Sequence, residues 1–176
     1  MKKGSYIGIL DWGIGGLGLY QLLKKAHPES PVLYVSDAGF TPYGKVPQAA
    51  LNQRVDQILR WMQQQGAAHI AIACNAASTC LPFLSWPEQQ VSGIIQHGVS
   101  AVRLLRGKKH IAVIGGQRLV RSQQYRRALH KQPFHISQRI AQPLSAHIEA
   151  GRLSGEAVEK DVKKILGPIR QSEVLV

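Results

Sequence analysis

The stretch that decides the fold is LDWGIGGLG, residues 10–18. It contains a G-x-G-x-x-G pattern at Gly13, Gly15 and Gly18, preceded by the apolar segment YIGIL and followed by LYQLLKKAH. This succession predicts a strand, a tight turn and a helix. A second apolar segment, VLYVS, ends just before Asp37. Together these features match the pattern of a dinucleotide-binding α/β unit.

Asp11 argues against a nucleotide in this loop. Its carboxylate directly precedes the first glycine, where a pyrophosphate would approach, and the two negative groups would repel each other. The turn between a strand and a helix also needs glycines for its own geometry, whatever it binds. The glycine pattern therefore predicts the fold better than it predicts the ligand.

The composition is that of one or two compact α/β domains. The chain has 176 residues, of which 44% are hydrophobic and 18% are charged. No apolar run is long enough for a membrane span, and Asp11 makes the first one too short for a signal peptide, so we expect a cytoplasmic protein without membrane contact. The spacing of Cys74 and Cys80 fits no common zinc or redox pattern, and we expect both thiols to be reduced.

The charge is strongly positive and unevenly distributed. The formal net charge is +12, from 22 basic and 10 acidic residues. Residues 101–176 hold 15 of the basic residues, and no acidic residue occurs between Gln89 and Ile148. The basic region 101–139 has two interpretations: a solvated helix face, or a surface for nucleic acid or an acidic protein.

Strand-like and helix-like segments alternate along the chain. The predicted strands are YIGIL, VLYVS, HIAIA, VSGII and HIAVI, and the chain ends on a further strand-like segment, EVLV. The predicted helices cover residues 17–26, 47–65, 76–81, 99–106, 119–130 and two segments after Pro143, with helix ends at Gly66, Gly107 and Gly151. Apolar strands joined by helices predict parallel sheets covered on both faces. The alternation restarts near Gln96, which predicts two α/β domains, residues 1–96 and 97–176.

Polar groups follow each of the first three strands. Binding sites in open parallel sheets form at the carboxyl ends of the strands, so these three ends should lie side by side. They carry Asp11-Trp12-Gly13, then the segment from Asp37 to Thr41-Pro42-Tyr43-Gly44, and then Cys74-Asn75-Ala76. The sequence therefore predicts a pocket that combines a carboxylate, a thiol, an amide and backbone N–H groups.

Cys74 is the candidate reactive group of this pocket. It ends a predicted strand and precedes Asn75, a candidate helix N-cap, and a thiolate is stabilised at a helix N-terminus. The alternative is a small core cysteine, which is also how we interpret Cys80. The Pro42-Tyr43-Gly44 segment has an alternative explanation as turn chemistry. No histidine pair has the spacing of metal ligands, so we expect no metal.

In these motifs the chain resembles the glutamate racemases, within the aspartate/glutamate racemase family. The family's D-S-G-x-G-G-L loop corresponds to residues 11–17, its D-x-x-x-x-P-Y-G segment to residues 37–44, and its A-C-N-T-A-S segment to residues 73–78. A later strand and an R-S-x-x-Y helix correspond to residues 111–115 and 121–125, and a Q-P-L segment to residues 142–144. The resemblance implies two Rossmann-like parallel-sheet domains.

The resemblance also implies a reaction and roles for particular residues. The family interconverts L- and D-glutamate for bacterial peptidoglycan, without a cofactor, using two thiols on opposite faces of the substrate Cα. Cys74 would be one of these thiols, and Asp11 would assist it or hold the substrate amine. The pocket would further be lined by residues that match family motifs: Trp12, Tyr43, Gly44, Asn75 and Ala76.

Three departures from the family pattern predict impaired catalysis. The family's second thiol lies in an L-G-C-T-H segment after a strand such as VLV, and these 176 residues stop at Val176, so the family's C-terminal part is missing. Trp12 replaces a serine and Ala76 a threonine, which removes hydroxyls from a polar pocket. The alternative function is a non-catalytic racemase-like protein whose basic second half contacts an acidic partner. Without the missing part the first sheet would expose apolar surface, so we expect a homo-oligomer.

Overall fold

The computed structural model describes residues 5–107 and 109–176. The chain divides into two compact units, with the boundary between His97 and Gly98. Both units are α/β, and every paired strand runs parallel to its neighbours. The α/β fold with two parallel sheets, predicted from the alternation of segments, is thus confirmed.

Unit 1 contains a four-stranded sheet in the order β2-β1-β3-β4. Its strands are β1 (Tyr6–Asp11), β2 (Val32–Ser36), β3 (Ala67–Ile72) and β4 (Val91–Gly93). Its helices are α1 (Leu17–Ala26), α2 (Gln48–Gln64), α3 (Asn75–Ser78) and the start of α4 (Ile94–Arg103), with 3-10 turns at Tyr43–Lys45 and Leu81–Phe83. The predicted strand VSGII therefore ends at Gly93, and α4 begins directly after it.

The core of unit 1 lies between the sheet and α2. Leu10, Ile70 and Ile72 face Leu51, Val55, Leu59 and Met62 of that helix, and all of these residues are almost fully buried. Gly8 shares this face, where a Cβ would lie 2.8 Å from Cε of Met62. Since parallel crossovers are right-handed, this strand order places α1 on the opposite face. None of the residues of α1 is buried.

Unit 2 contains a three-stranded sheet in the order β6-β5-β7. The strands are β5 (His110–Gly115), β6 (His135–Ile140) and β7 (Val174–Leu175). The helices are α5 (Gln117–Ser122), α6 (Gln124–Leu129), α7 (Gln142–Glu149) and α8 (Glu156–Leu166), followed by a 3-10 turn at Gly167–Ile169. With right-handed crossovers, α5 and α6 cover one face of the sheet, and α7 and α8 cover the other.

Three helices differ from their predictions. The predicted helix 99–106 is α4, which begins five residues earlier, at Ile94, and ends at Arg103. The predicted helix 119–130 is broken into α5 and α6 at Gln123, which has φ 54°, a left-handed conformation that non-glycine residues adopt at a cost. The predicted helix 76–81 ends at Ser78. The helix ends predicted at Gly66 and Gly151 lie two residues beyond the ends of α2 and α7 and have positive φ angles of 96° and 69°, whereas α4 ends at Arg103, before Gly107 (φ 69°). None of the helices in the described ranges combines the length and hydropathy of a membrane span.

Candidate functional site

The carboxyl ends of β2, β1 and β3 lie next to one another, as the sequence predicts. Two hydrogen bonds continue the pairing beyond the strands: the Asp37 amide donates to the carbonyl of Asp11 (3.0 Å), and the Ala73 amide donates to the carbonyl of Leu10 (2.9 Å). The sheet therefore fixes the backbone at three points of the candidate pocket. The side chains of Asp11 and Cys74 start from this frame.

The Asp11 side chain is buried and binds the backbone of the glycine loop. Its side chain is only 5% exposed, and Oδ2 accepts a hydrogen bond from the Gly16 amide over 3.0 Å. Gly16 directly precedes α1, so the carboxylate takes an N–H group that a pyrophosphate would need at this helix end. A Cβ on Gly16 would lie 2.9 Å from the Tyr34 hydroxyl and 3.1 Å from the Ala73 Cβ, so any larger residue there would force these neighbours to shift.

Trp12 connects the loops that follow β1 and β2. Its indole Nε1 donates to the carbonyl of Phe40 (3.0 Å), and its side chain packs against the core of unit 1. The Ser36 hydroxyl approaches the carbonyls of Trp12 (3.3 Å) and Gly13 (3.0 Å) from the end of β2. The Trp12 indole therefore has a fixed position between the loops that follow β1 and β2.

Tyr43 is buried, and its hydroxyl is held inside the loop. It donates to Oδ2 of Asp37 over 2.7 Å, and the residue is 2% exposed. Burial, followed by the neighbouring Asp37, raises the pKa of the Tyr43 phenol well above its ordinary value. Gly44 is exposed beside it, and a Cβ there would meet no atom within 4 Å. This arrangement ties the Tyr43 phenol to the loop through Asp37.

Arg54 completes this loop from α2. Its Nε lies 3.0 Å from Oδ2 of Asp37 and its Nη2 lies 2.5 Å from Oδ1, a bidentate ion pair on a carboxylate that is 8% exposed. The guanidinium also lies over the Phe40 ring, 4.9 Å from its centroid. Asp37, Tyr43 and Arg54 therefore brace the loop between β2 and α2.

Cys74 itself is the N-cap of α3. Its Sγ accepts from the Ala77 amide over 3.5 Å, whereas the sequence favours Asn75 for this role; Asn75 is instead the first residue of the helix. Ala76 follows within the same turn, and its carbonyl accepts from the Thr79 hydroxyl (2.6 Å). The reason is that β3 ends at Ile72, one residue before its predicted end. The N-cap position of α3 therefore falls on Cys74.

The surroundings of Cys74 shift the pKa of its thiol in opposing directions. Burial and the Asp11 carboxylate raise it, while the backbone N–H groups of Ala77, Trp12 and Ala76 lower it, and the result is a pKa of about 11. The stabilisation expected from the helix N-terminus is thus present but outweighed. In the free protein the neutral thiol dominates at physiological pH.

Cys80 has no part in this site. It is fully buried, and its Sγ lies 3.6 Å from the amide nitrogen of Gln48. Its interpretation as a core residue is confirmed.

Sequence reasoning did not identify Tyr34, Ser36 or Arg54 as part of this region. Tyr34 and Ser36 alternate along β2 on the face that carries Asp11, a period-2 signal that could have indicated them. The Tyr34 hydroxyl lies 3.3 Å from the Gly13 carbonyl, and burial, followed by Asp11, raises the pKa of its phenol. No local signal indicates Arg54, because its ion pair depends on how α2 packs beside the loop.

The fold of the chain is similar to that of the amino-acid racemases of the two-sheet α/β type. The crystal structure of glutamate racemase from Francisella tularensis subsp. tularensis SCHU S4, in complex with D-glutamate, superimposes with a TM-score of 0.85. The match has 25% sequence identity and covers 98% of this chain and 67% of that one. The predicted fold type is therefore confirmed.

The sequence comparisons identify the particular relatives, which are glutamate racemases. That of Gloeobacter violaceus is 31% identical over 175 residues, which is 96% of this chain and 64% of the relative. That of Exiguobacterium sibiricum is 31% identical over 169 residues, 93% of this chain and 62% of the relative. No protein-family model matches the chain. In sequence and in fold this chain is a relative of the glutamate racemases, and it spans just under two thirds of the length of these two.

Proposed function

We propose that unit 1 binds a glutamate-like amino acid at the carboxyl ends of β1, β2 and β3, and that Cys74 exchanges the substrate's Cα proton. The observation that carries this proposal is the setting of the Cys74 thiol after the carboxyl end of β3: its Sγ accepts from the Ala77 N–H (3.5 Å), and the Asp11 carboxylate is near enough to raise its pKa. The sequence similarity to glutamate racemases and the D-glutamate bound to the Francisella relative support this substrate class.

The proposed chemistry is a proton transfer between carbon and sulfur. As a thiolate, Sγ of Cys74 takes the Cα proton, and the electron pair of the broken C–H bond moves towards the substrate carboxylate. The same thiol then returns a proton to that face. Asp11 holds the substrate amine, while Trp12, Gly44, Asn75 and Ala76, with the backbone of Tyr43, line the pocket. The step moves no electrons to an acceptor and therefore requires no redox cofactor.

Inversion of the substrate needs a proton donor on the opposite face. The sequence contains two cysteines, and Cys80 lies in the core of unit 1, so these residues supply one thiol to the pocket. We therefore propose that residues 1–176 on their own exchange the Cα proton of one enantiomer with little or no racemisation. A cytoplasmic role in D-glutamate supply for peptidoglycan is a proposal that rests on the family resemblance alone.

The decisive test is Cα-proton exchange in D₂O, followed by NMR and optical rotation with L- and D-glutamate separately. We expect deuterium in one enantiomer without inversion, loss of this activity in Cys74→Ala, and its retention in Cys80→Ala. Exchange with inversion would show a second proton donor and contradict the one-thiol proposal. No exchange with either enantiomer would overturn the catalytic proposal in favour of a non-catalytic protein.

We also propose that the protein self-associates through α1. The helix has no buried residue, and Leu17 and Leu22 are 45% and 66% exposed beside Ile14, which is 58% exposed. A second copy of the chain would cover this apolar surface. Sedimentation equilibrium at increasing concentration should show dimers or larger species, and Leu17→Gln/Leu22→Gln should shift them towards monomer. A wild-type protein that stays monomeric would contradict this proposal.

A further inference from the structure

The positive charge of unit 2 is concentrated in one part of its sequence. Residues 98–148 contain no aspartate or glutamate but ten basic residues: Arg103, Arg106, Lys108, Lys109, Arg118, Arg121, Arg126, Arg127, Lys131 and Arg139. The acidic residues of this unit all come later: Glu149, Glu156, Glu159, Asp161 and Glu173. A charge imbalance of this kind has consequences only if the fold keeps the two groups apart.

The strand order keeps four of the five acidic residues apart from α5 and α6, and the fifth, Glu173, accepts from the backbone N–H groups of Lys109 and His110. The crossover from β5 to β6 runs through α5 and α6, whereas the crossover from β6 to β7 returns past β5 through α7 and α8. The two helix pairs therefore cover opposite faces of the sheet. Four acidic residues, Glu149 to Asp161, lie on α7 and α8, where Asp161 is also engaged by His147 (3.0 Å).

Three arginines are held around α6 by backbone carbonyls. Nη2 of Arg103 donates to Ala128 (2.9 Å), Nη2 of Arg126 to Ile136 (3.2 Å) and Nη2 of Arg127 to Ser122 (2.6 Å). All three side chains are exposed, as is the neighbouring Lys131. Within the described ranges the ion pairs involve Arg54, Arg60 and His147, and no carboxylate lies within 4.0 Å of these three arginines. We call Arg103, Arg126, Arg127 and Lys131 the α6 basic face.

A purely structural role does not account for this much charge. Arginines near the last turns of α5 and α6 stabilise helix C-termini, each of which carries about half a negative charge. The four cations of the α6 basic face exceed what two short helices can balance. A guanidinium also has five N–H donors, so one bond to a carbonyl leaves donors for another partner.

The composition of the face indicates the kind of partner. Tyr125 and Leu129, the large apolar residues of α6, are buried, so the helix offers no apolar anchor of the kind that protein interfaces use. The phenylalanine and tyrosine of unit 2 are the partly buried Phe134 and the buried Tyr125, and the unit has no tryptophan, so no exposed phenyl, phenol or indole ring is available to stack on unpaired bases. Three of the four cations are arginines, whose planar fork matches phosphate oxygens.

We propose that the α6 basic face binds the phosphate backbone of double-stranded nucleic acid, without sequence specificity. The contacts are ion pairs and hydrogen bonds from the four side chains to phosphates on the duplex surface. If each cation neutralises one phosphate, log K against log salt has a slope of about −3.6. This activity is separate from the proposed amino-acid site, which lies in unit 1.

The test is fluorescence anisotropy of the full chain with a labelled DNA duplex of about two helical turns. Salt is varied between about 50 and 200 mM. We expect Arg126→Gln/Arg127→Gln to weaken binding by about tenfold or more and to halve the slope. The matched control is Lys163→Gln/Lys164→Gln, which removes the same charge from exposed positions on α8 and should leave the slope nearly unchanged. Thermal unfolding of both variants checks that they fold.

Several outcomes would overturn this proposal. Equal losses in both double variants would mean that only the overall charge matters, and no duplex binding at the lowest salt would exclude the activity. Equally strong binding to poly-glutamate would mean that the face binds any polyanion, which contradicts recognition of phosphate. Tighter binding to single-stranded than to double-stranded DNA would contradict recognition of the duplex. Glutamate Cα exchange in the same variants should be unchanged, so failure here is distinguishable from failure of the proposed function.

Discussion

Tyr43 and Asp37 are joined within the core of unit 1, where the Tyr43 hydroxyl donates to Oδ2 of Asp37 over 2.7 Å. Asp37 is also held by two hydrogen bonds from Arg54. A buried carboxylate needs such partners, because removing one leaves charge without compensation. This relationship fixes the loop that carries Gly44, which is one of the residues proposed to line the pocket.

Tyr43→Phe should therefore destabilise unit 1 without changing its packing. The variant keeps the ring and the Arg54 ion pair but removes a hydrogen bond to a charged group, which costs about 2 kcal/mol of unfolding free energy. Urea unfolding measures the loss. Tyr34→Phe is the matched control, since its hydroxyl makes a longer, 3.3 Å contact with a neutral carbonyl, and should cost less. Equal losses would contradict a special role for the Tyr43–Asp37 bond.

Alkylation of Cys74 should depend steeply on pH. Burial and Asp11 raise the pKa of the thiol to about 11, so the thiolate fraction should grow about tenfold per pH unit through the neutral and mildly alkaline range. Iodoacetamide labelling followed by mass spectrometry measures the rate at Cys74 separately from that at the buried Cys80. A rate plateau near pH 8 would mean that the N–H groups outweigh burial.

Asp11→Asn should separate thiol reactivity from substrate exchange. The Asp11 carboxylate raises the pKa of Cys74. Replacing it by a neutral amide should therefore lower the pKa of Cys74 and increase its alkylation at a fixed pH near 8. The amide oxygen can still accept from the Gly16 N–H, so the loop remains supported. Glutamate exchange should nevertheless fall, because the group proposed to hold the amine has lost its charge.

Glu88→Gln controls for the change in net charge, since Glu88 is exposed. Neither alkylation nor exchange should change in this variant. Slower alkylation in Asp11→Asn would contradict the electrostatic coupling between Asp11 and Cys74.

Gly16→Ala and Gly18→Ala should have opposite effects on stability. A Cβ at Gly16 would lie 2.9 Å from the Tyr34 hydroxyl and 3.1 Å from the Ala73 Cβ, so the loop must move, at a cost of about 1–3 kcal/mol. At Gly18, within α1, a Cβ would meet nothing within 4 Å, and alanine should stabilise the helix by up to about 1 kcal/mol. Thermal unfolding of the two variants gives the comparison. A tolerated Gly16→Ala would contradict the steric requirement.

Much of the fold could be predicted because hydrophobic periodicity reports local structure directly. The predicted segments 17–26 and VLYVS coincide with α1 and β2, and the side-by-side ends of β2, β1 and β3 follow from the rules of parallel sheets. The left-handed break at Gln123 had no glycine or asparagine to indicate it. The predicted strand VSGII was right for Val91–Gly93 and wrong for its last two residues, because Ile94 and Ile95, apolar enough for a strand, lie in the first turn of α4.

The positions of the candidate site residues were predictable, but their electrostatics were less so. Asp11, Trp12 and Cys74 could be placed at adjacent strand ends because sequence order and strand order are linked. The pKa of Cys74 depends on burial by neighbours that are distant in sequence, and so does the ion pair between Arg54 and Asp37. These quantities depend on tertiary packing, which local patterns do not report.

The return of the chain past β5 makes the two surfaces of unit 2 independent of each other. Side chains on α5 and α6 can be exchanged without disturbing α7 and α8, because a sheet with a buried central strand lies between the two helix pairs. During evolution one surface of this unit is therefore free to gain or lose charge, while the other continues to be selected for packing.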